Sequence, residues 1–179
     1  MEPLYGAIVD FLAAHQHWAP YLAFALALGE TVAFVSIAIP STAILVGVGG
    51  LIATGALHFV PIWIGAVLGA LVGSTFSWWL GRRYGDRMLA VWPFSREPAL
   101  VERGTLAFRR WGGGAIFVAH FFGPLRAVAF LVAGVSSMSL AGFQLANVPG
   151  VLIWAYAIPK AGEVGGNVIG HVWRGLFGA

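Results

Sequence analysis

Long apolar stretches separated by short polar ones divide this chain into segments of membrane-spanning length. Residues 59–80 form the most regular stretch, and about 20 apolar residues are enough for a helix to cross a bilayer. A second regular stretch covers 138–159, and an earlier one covers 18–35. Residues 1–17 mix apolar and charged positions, which is typical of an amphipathic helix at the membrane interface. The pattern therefore predicts an all-α integral membrane protein.

Two further apolar stretches are interrupted by glycine and proline. Residues 37–55 contain Pro40 and four glycines, while residues 112–134 begin with three glycines and contain Pro124. Broken helices at membrane depth are tolerated only where protein or water satisfies the freed backbone groups. We therefore predict that each stretch is a re-entrant hairpin. An ordinary kinked span is the alternative for the first stretch.

The one extended polar segment, residues 81–110, fixes the predicted orientation. It holds seven of the ten basic residues, and no lysine or arginine precedes Arg82. By the positive-inside rule this segment is cytoplasmic. From Pro98 onwards its apolar residues share one helical stripe, which predicts an amphipathic helix on the inner leaflet. Contact with anionic lipid is a sufficient explanation for its arginines.

The two halves of the chain repeat one pattern, a broken hairpin followed by a clean span. A shift of 84 residues places Pro40 on Pro124 and Gly50 on Gly134. With the polar segment inside, the two hairpins enter from opposite faces of the membrane. We therefore predict a single domain, residues 1–179, built as an inverted repeat of re-entrant hairpin plus transmembrane helix, with amphipathic interfacial helices. Secondary transporters place their binding sites where such broken elements meet.

Composition narrows the class further. Of the 179 residues, 59% are hydrophobic and 9% are charged, against about 25% charged in soluble proteins. The absence of cysteine excludes disulfides and cysteine-ligated metals. The excess of positive charge is confined to one segment, so it indicates membrane orientation rather than nucleic-acid binding. We expect no cleavable signal peptide, because the first residues lack a positive n-region and a cleavage site.

Two charges stand alone inside apolar stretches. Glu30 is the only formally charged residue between Asp10 and Arg82, and Arg126 is the only one within residues 112–158. An ionisable group at membrane depth is costly, and it usually faces the protein interior and handles ions, protons or polar headgroups. An acid and a base contributed by separate halves of the chain favour a transporter. The alternative is an ion pair that only locks two helices together.

Several motifs, taken in order, resemble the DedA/VTT family, also called the SNARE-associated Golgi protein superfamily. Glu30 precedes Pro40 and the run GVGGLIATG; GALVGSTFSWWLGRRYG covers 69–85, and FRRWGGGAIFVAHFFGPLR covers 108–126. The last motif is a spaced set of six residues: Gly134, Met138, Phe143, Asn147, Gly150 and Trp154. The resemblance implies a multi-pass protein of the bacterial inner membrane that moves lipid. It also implies a polyprenyl phosphate carrier or a glycerophospholipid as cargo, with coupling to the proton gradient.

The chain departs from the family pattern at three positions. Where the family often has a second acid, twelve residues after Glu30, this chain has Thr42. Ser74 replaces another usual acid, and His120 replaces the first of two arginines, while Arg126 matches the second. These departures bear on the proton coupling and the choice of headgroup.

A lipid transporter must offer a polar path to the headgroup. Arg126 suits a phosphate, because a guanidinium group stays charged and binds two oxygens at once. Glu30 suits proton coupling, because burial disfavours its ionised form and protonation can alternate with cargo binding. His120 is a candidate for a second phosphate contact, whose charge changes near neutral pH. A buried neutral histidine that satisfies backbone groups is the equal alternative.

Three further residues are candidates for substrate binding. Ser41 and Thr42, at the tip of the first hairpin, would line the cavity or cap a half-helix. Asn147 is either part of the site or a hydrogen-bonding link between helices. We expect membrane lipids with phosphate-bearing headgroups and protons as partners, no nucleic acid, and no cofactor or metal. A homo-oligomeric state is open.

Two other classes of function compete with lipid transport. In a structural or assembly-factor membrane protein, Glu30 and Arg126 would be only a salt bridge. A membrane enzyme that modifies lipids would need an acid, a base and a nucleophile. The sequence has no zinc HExxH motif, phosphate-cradling P-loop or serine-elbow signature. We therefore expect a protein that is not an enzyme.

Overall fold

Helices account for the regular structure in the part of the chain that the computed structural model describes. It describes residues 16–32, 41–53, 55, 57–90 and 94–177, without the side chains of 41–44, 47, 86, 124, 166 and 168–177. Seven α-helices lie in these ranges: α1 Ala19–Thr31, α2 Ser41–Ala53, α3 Phe59–Tyr84, α4 Pro98–Trp111, α5 Gly113–Ala119, α6 Gly123–Val135 and α7 Leu140–Phe177. Proline stands in the first turn of α1, α4 and α6, where its fixed φ favours helix initiation. The predicted all-α architecture is confirmed.

Two of these helices are long and apolar enough to cross a membrane. They are α3, with 26 residues, and the Leu140–Gly165 part of α7. At 1.5 Å per residue, α3 extends about 39 Å, more than the hydrocarbon core of about 30 Å. The predicted span 59–80 lies within α3, and the predicted span 138–159 lies within α7 from Leu140 onwards. The tail beyond the second span continues α7 without a break, past the internal Pro149 and Pro159.

The helices α1 and α2 form a pair whose first and last residues lie close together. The residues that lead into α1 line one cavity together with those that follow α2, among them His17 and His58. As described, α1 has 13 residues and extends about 20 Å, which is less than a bilayer core. Within the described residues, the helix in the predicted 18–35 span is therefore shorter than a complete span. Residues 33–40, which join the two arms, lie outside the described residues, as do residues 1–15 of the predicted N-terminal amphipathic helix.

The hairpin predicted within residues 37–55 is wrong, because α2 is one continuous helix over most of that stretch. Its glycines allow close packing instead of breaking the helix. A Cβ atom on Gly49 would collide with the backbone carbonyl of Pro159 in α7, and one on Gly162 would collide with the carbonyl of Val46. A side chain at either glycine would therefore push the two helices apart.

The helices α5 and α6 form the second pair. The predicted break within residues 112–134 is present, since α5 ends at Ala119 and α6 begins at Gly123. This pair also returns to its start, because a Cβ atom on Gly113, the first residue of α5, would lie 3.8 Å from the methyl group of Met138. Each long helix is thus preceded by a pair of shorter helices.

The two pairs pack on the long helices in a reciprocal way. The second arm of each pair crosses the long helix of the other half: α2 crosses α7, and α6 crosses α3. At the α6–α3 crossing, a Cβ atom on Gly134 would strike the carbonyl of Trp78, and one on Gly81 would strike the carbonyl of Leu131. These are the same backbone-to-backbone contacts that Gly49 makes at the α2–α7 crossing.

The helix α4 lies on the surface of the second helix pair, and its amphipathic character is as predicted. Its glutamate and arginine side chains are exposed, among them Arg103, Arg109 and Arg110. On the opposite face, Gly104 is buried against Val128 of α6. The helix therefore turns its charges away from the protein while contacting the second helix pair.

Candidate functional site

A buried ion pair connects the end of α1, in the first helix pair, to the start of α6, in the second. Glu30 is the second-to-last residue of α1, and Arg126 lies in the first turn of α6. The Nη2 group of Arg126 donates a hydrogen bond to Oε1 of Glu30, and the two residues are 1% and 4% exposed. The two isolated charges of the sequence, 96 positions apart, are therefore in direct contact.

The end of α1 is held in place by α3. Ser77 donates a hydrogen bond of 2.9 Å to the backbone carbonyl of Thr31, next to Glu30. The hydroxyl of Thr31 donates in turn to the carbonyl of Ala27, at 2.7 Å. Gly73 of α3 leaves the space that the Thr31 side chain occupies. These contacts fix the position from which the Glu30 carboxylate faces Arg126.

The guanidinium group of Arg126 is only partly satisfied by its neighbours. Its Cζ atom lies 5.0 Å from the centre of the Trp154 ring, which is within range of a cation–π interaction. Its Nε and Nη1 groups are buried and have no hydrogen-bond partner among the described residues. An unsatisfied buried donor costs about 1–3 kcal/mol. Arg126 therefore has two donors directed into the protein interior that an incoming acceptor such as a phosphate oxygen would satisfy.

A second buried cluster is formed by neutral polar side chains. The Nε2 atom of His120 lies 3.0 Å from Oδ1 of Asn147, and because an amide oxygen only accepts, Nε2 carries the hydrogen. The Nδ2 group of Asn147 donates to Ser74 at 3.0 Å and to Gln144 at 2.9 Å. Gln144 donates in turn to the hydroxyl of Thr75, at 2.7 Å. The five side chains form one connected network between α3, α7 and the break in the second pair.

The network and the ion pair lie against the same stretch of α7. His120 packs on Gly150, where a Cβ atom would collide with the imidazole ring. Trp154, which holds Arg126, stands four residues further on, and residues four apart are neighbours on one helical face. The Nδ1 atom of His120 is buried without a partner among the described residues. The two clusters thus form one polar centre within an apolar helix bundle.

The structure brings together four of the six residues that the sequence singled out: Glu30, Arg126, His120 and Asn147. The side chains of Ser41 and Thr42 lie outside the described residues, although both residues belong to the start of α2. Three polar members of the centre were not anticipated as site residues: Ser74, Thr75 and Gln144. Gln144 and Asn147 are three residues apart and share a helical face, which is the sequence signal that would have found them.

Two apolar helices of membrane-crossing length that share a buried polar centre are typical of an integral membrane protein. The chain belongs to the VTT domain family, the DedA family, whose profile matches residues 39–164. No solved structure matches the chain.

Several curated relatives are membrane proteins by name. The inner membrane protein YabI of Escherichia coli is 33% identical over 126 residues, which are 70% of this chain and 49% of YabI. The uncharacterized membrane protein Rv2637 of Mycobacterium tuberculosis is 35% identical over 144 residues, 76% of this chain and 66% of that protein. The uncharacterized membrane protein slr0232 of Synechocystis is 31% identical over 121 residues, 66% of this chain and 56% of that protein. The chain thus spans about half to two thirds of these relatives.

Proposed function

We propose that this protein moves a phosphate-bearing lipid across the bacterial inner membrane, with Arg126 as the headgroup contact and Glu30 as its coupling partner. The observation that carries the proposal is the partly satisfied, buried guanidinium group of Arg126. A buried arginine that uses one nitrogen on a carboxylate keeps two donors for oxygens of another anion. One of these donors, together with the second N–H of Nη2, forms the fork in which guanidinium groups bind phosphate.

The two helix pairs act as re-entrant hairpins that enter from opposite faces. The first pair begins and ends beside Pro61 and Ile62, at the start of α3. The second pair ends near the opposite end of α3, where Trp78 and Arg82 both donate hydrogen bonds to the carbonyl of Met138. If α3 crosses the membrane, the pairs therefore start from opposite sides and meet at Glu30 and Arg126. This arrangement is an inverted repeat with its site between the broken elements.

Orientation follows from the charge distribution. The segment from the end of α3 to the end of α4 carries seven of the ten basic residues, so it would lie on the cytoplasmic side by the positive-inside rule. The first hairpin then opens to the outer face, and the second opens to the cytoplasm. A lipid headgroup that passes between their tips would cross the membrane.

Proton coupling would arise from the contact between the two charges. An ionised Glu30 competes with a phosphate for Arg126, since both are anions that accept from the same guanidinium group. Protonation of Glu30 removes its charge and leaves Arg126 to the headgroup. Cargo binding and proton binding would then be linked, and each would favour the other.

The experiment that tests this function uses purified protein in liposomes. We expect protein-dependent transfer of a fluorescent lipid with a phosphate headgroup, either a polyprenyl phosphate or a glycerophospholipid, and no protein-dependent transfer of the same lipid without its phosphate. An imposed pH gradient should change the initial rate if Glu30 couples transport to protons. Equal transfer with and without phosphate would overturn the headgroup assignment.

A structural role is the second candidate, and one observation favours it: Glu30 and Arg126 neutralise each other in the resting arrangement. A protein of this kind would stabilise or assemble a membrane complex and would transfer no lipid in the liposome experiment.

A further inference from the structure

A groove of about 580 Å³ runs along the outward face of α3 beside the first residue of α7, Leu140. Its lip is formed by Val72, Phe76 and Trp79, which are 51%, 45% and 45% exposed. Its lining is almost entirely apolar, and Thr75 is the polar side chain that it contains. The groove lies outside the polar centre but on the same helix.

The position of the groove determines what can occupy it. Thr75 stands 16 residues after Phe59, about 24 Å along a helix that is long and apolar enough to span a bilayer. An apolar surface at this depth faces lipid hydrocarbon. The groove is shallow and open, and a hydrocarbon chain would lie along it against Val72, Phe76 and Trp79.

A continuous hydrogen-bonded path leads from the groove to the polar centre. It starts at the hydroxyl of Thr75, passes through the amides of Gln144 and Asn147, and ends at His120. Burial increases inwards along this path, since Thr75 and Gln144 are half-buried while Asn147 and His120 are 0% and 1% exposed. Two neighbouring amides inside a membrane helix are costly unless they are paired or used.

The path ends one helical turn from the phosphate contact proposed above. His120 packs on Gly150 of α7, and Arg126 packs on Trp154 of the same helix. A polar headgroup that follows this path would have to displace the hydrogen bonds of the network one after another until it reaches Arg126. Its hydrocarbon chain would stay in the groove throughout.

We propose that the groove and this path form the lateral entry for the cargo, a lipid with one phosphate-bearing headgroup, whose hydrocarbon chain binds between Val72, Phe76 and Trp79. This inference rests on the proposed function and adds the route of access and the chain-binding surface. The competing explanation for the amides is hydrogen bonding that only holds α3 and α7 together.

Filling the groove tests the proposal. Val72→Trp places a large ring at its lip, and Leu68→Trp is the matched control, because Leu68 is 51% exposed on the same helix but does not line the groove. We expect Val72→Trp to slow phosphorylated-lipid transfer about ten-fold, because transport uses the binding energy of the whole lipid. Leu68→Trp should transfer lipid at the wild-type rate. Equal rates for the two variants, in a wild-type background that transports, would overturn the groove while leaving the proposed function intact.

A binding measurement tests lipid entry independently of transport. It uses wild-type protein, so its result does not depend on whether a variant folds. Wild-type protein in nanodiscs would be photolabelled with a phosphatidic acid that carries a diazirine in its chain, and the labelled peptides would be mapped. We expect labelling around Val72 and Phe76 that unlabelled phosphatidic acid displaces and diacylglycerol does not. Label around Leu68 should be insensitive to both. Labelling at Val72 that diacylglycerol displaces equally would mean ordinary lipid contact and would overturn the proposal. Headgroup-selective labelling without any transport would retain the binding surface and reject the proposed function.

Discussion

At the scale of single residues, the chemistry of the site depends on the geometry of Arg126. Its Nη2 group is on Glu30, its face lies on Trp154, and two further donors have no partner among the described residues. A lysine at the same place would keep the positive charge. It would lose the planar fork that binds two oxygens and stacks on an aromatic ring.

We therefore expect Arg126→Lys to fold and to transport poorly. Losing one charge-assisted hydrogen bond to phosphate costs about 1.5–3 kcal/mol, which is a ten-fold or greater loss of cargo affinity. Initial rates at several lipid densities in liposomes measure this loss, and thermal unfolding of the purified protein is the control. Wild-type affinity in Arg126→Lys would show that only the charge matters at this position.

The isolated charges were found from the sequence because each is the only charge in a long apolar stretch. Of the neutral network, His120 and Asn147 were candidates from the sequence, but Thr75 and Gln144 were not, since they change neither the charge count nor the hydropathy enough to stand out. Thr75 and Gln144 contribute to the site because they form a hydrogen bond between two helices, although they are 69 residues apart in sequence. Such pairing becomes visible only when the helices are placed side by side.

At the scale of elements, glycines set the distance between the crossing helices. Four of them let backbone contact backbone at two equivalent crossings: Gly49, Gly81, Gly134 and Gly162. From sequence, the glycines of residues 37–55 indicated a broken helix, because composition does not separate flexibility from close packing. The helix break in the second pair was predicted correctly, because Gly123 and Pro124 stand at the start of α6.

Adjacent glycines in α2 provide a matched test of this packing. A Cβ atom on Gly49 would collide with backbone atoms of α7, while one on Gly50 would meet nothing within 4 Å among the described residues. We expect Gly49→Ala to destabilise the protein by about 1–3 kcal/mol through overpacking. Gly50→Ala should be neutral or stabilising, because alanine favours helix by about 1 kcal/mol over glycine.

Unfolding of the two variants in detergent or bicelles measures the difference. If Gly49→Ala proves as stable as Gly50→Ala, α2 does not cross α7 at this position. The claim that α2 packs on α7 as α6 packs on α3 would then be wrong.

At the scale of the whole molecule, the inverted arrangement of the two helix pairs requires the first pair to enter and leave the membrane on one side. His17 and His58 lie at its two ends, and both are exposed beside one cavity. Arg110, at the end of α4, is exposed in the basic segment. The chain contains no cysteine, so single introduced cysteines report sidedness without background.

We expect His17→Cys and His58→Cys to react with an impermeant thiol reagent added outside intact cells. Arg110→Cys should react only after the membrane is made permeable. Labelling of positions 17 and 58 from opposite faces would make the segment between them a full span and would remove the inverted arrangement.

Lipid transfer by the double variant Glu30→Gln, Arg126→Gln decides whether Glu30 and Arg126 form a transport site or only a scaffold. Removing one partner leaves a buried unpaired charge at a cost of about 3–5 kcal/mol, whereas removing both is much milder. The double variant should therefore be more stable than Arg126→Gln alone, which thermal unfolding verifies. We predict that the folded double variant transfers no phosphorylated lipid in liposomes. Transfer at the wild-type rate by a stable double variant would contradict the account and leave the pair with a structural role.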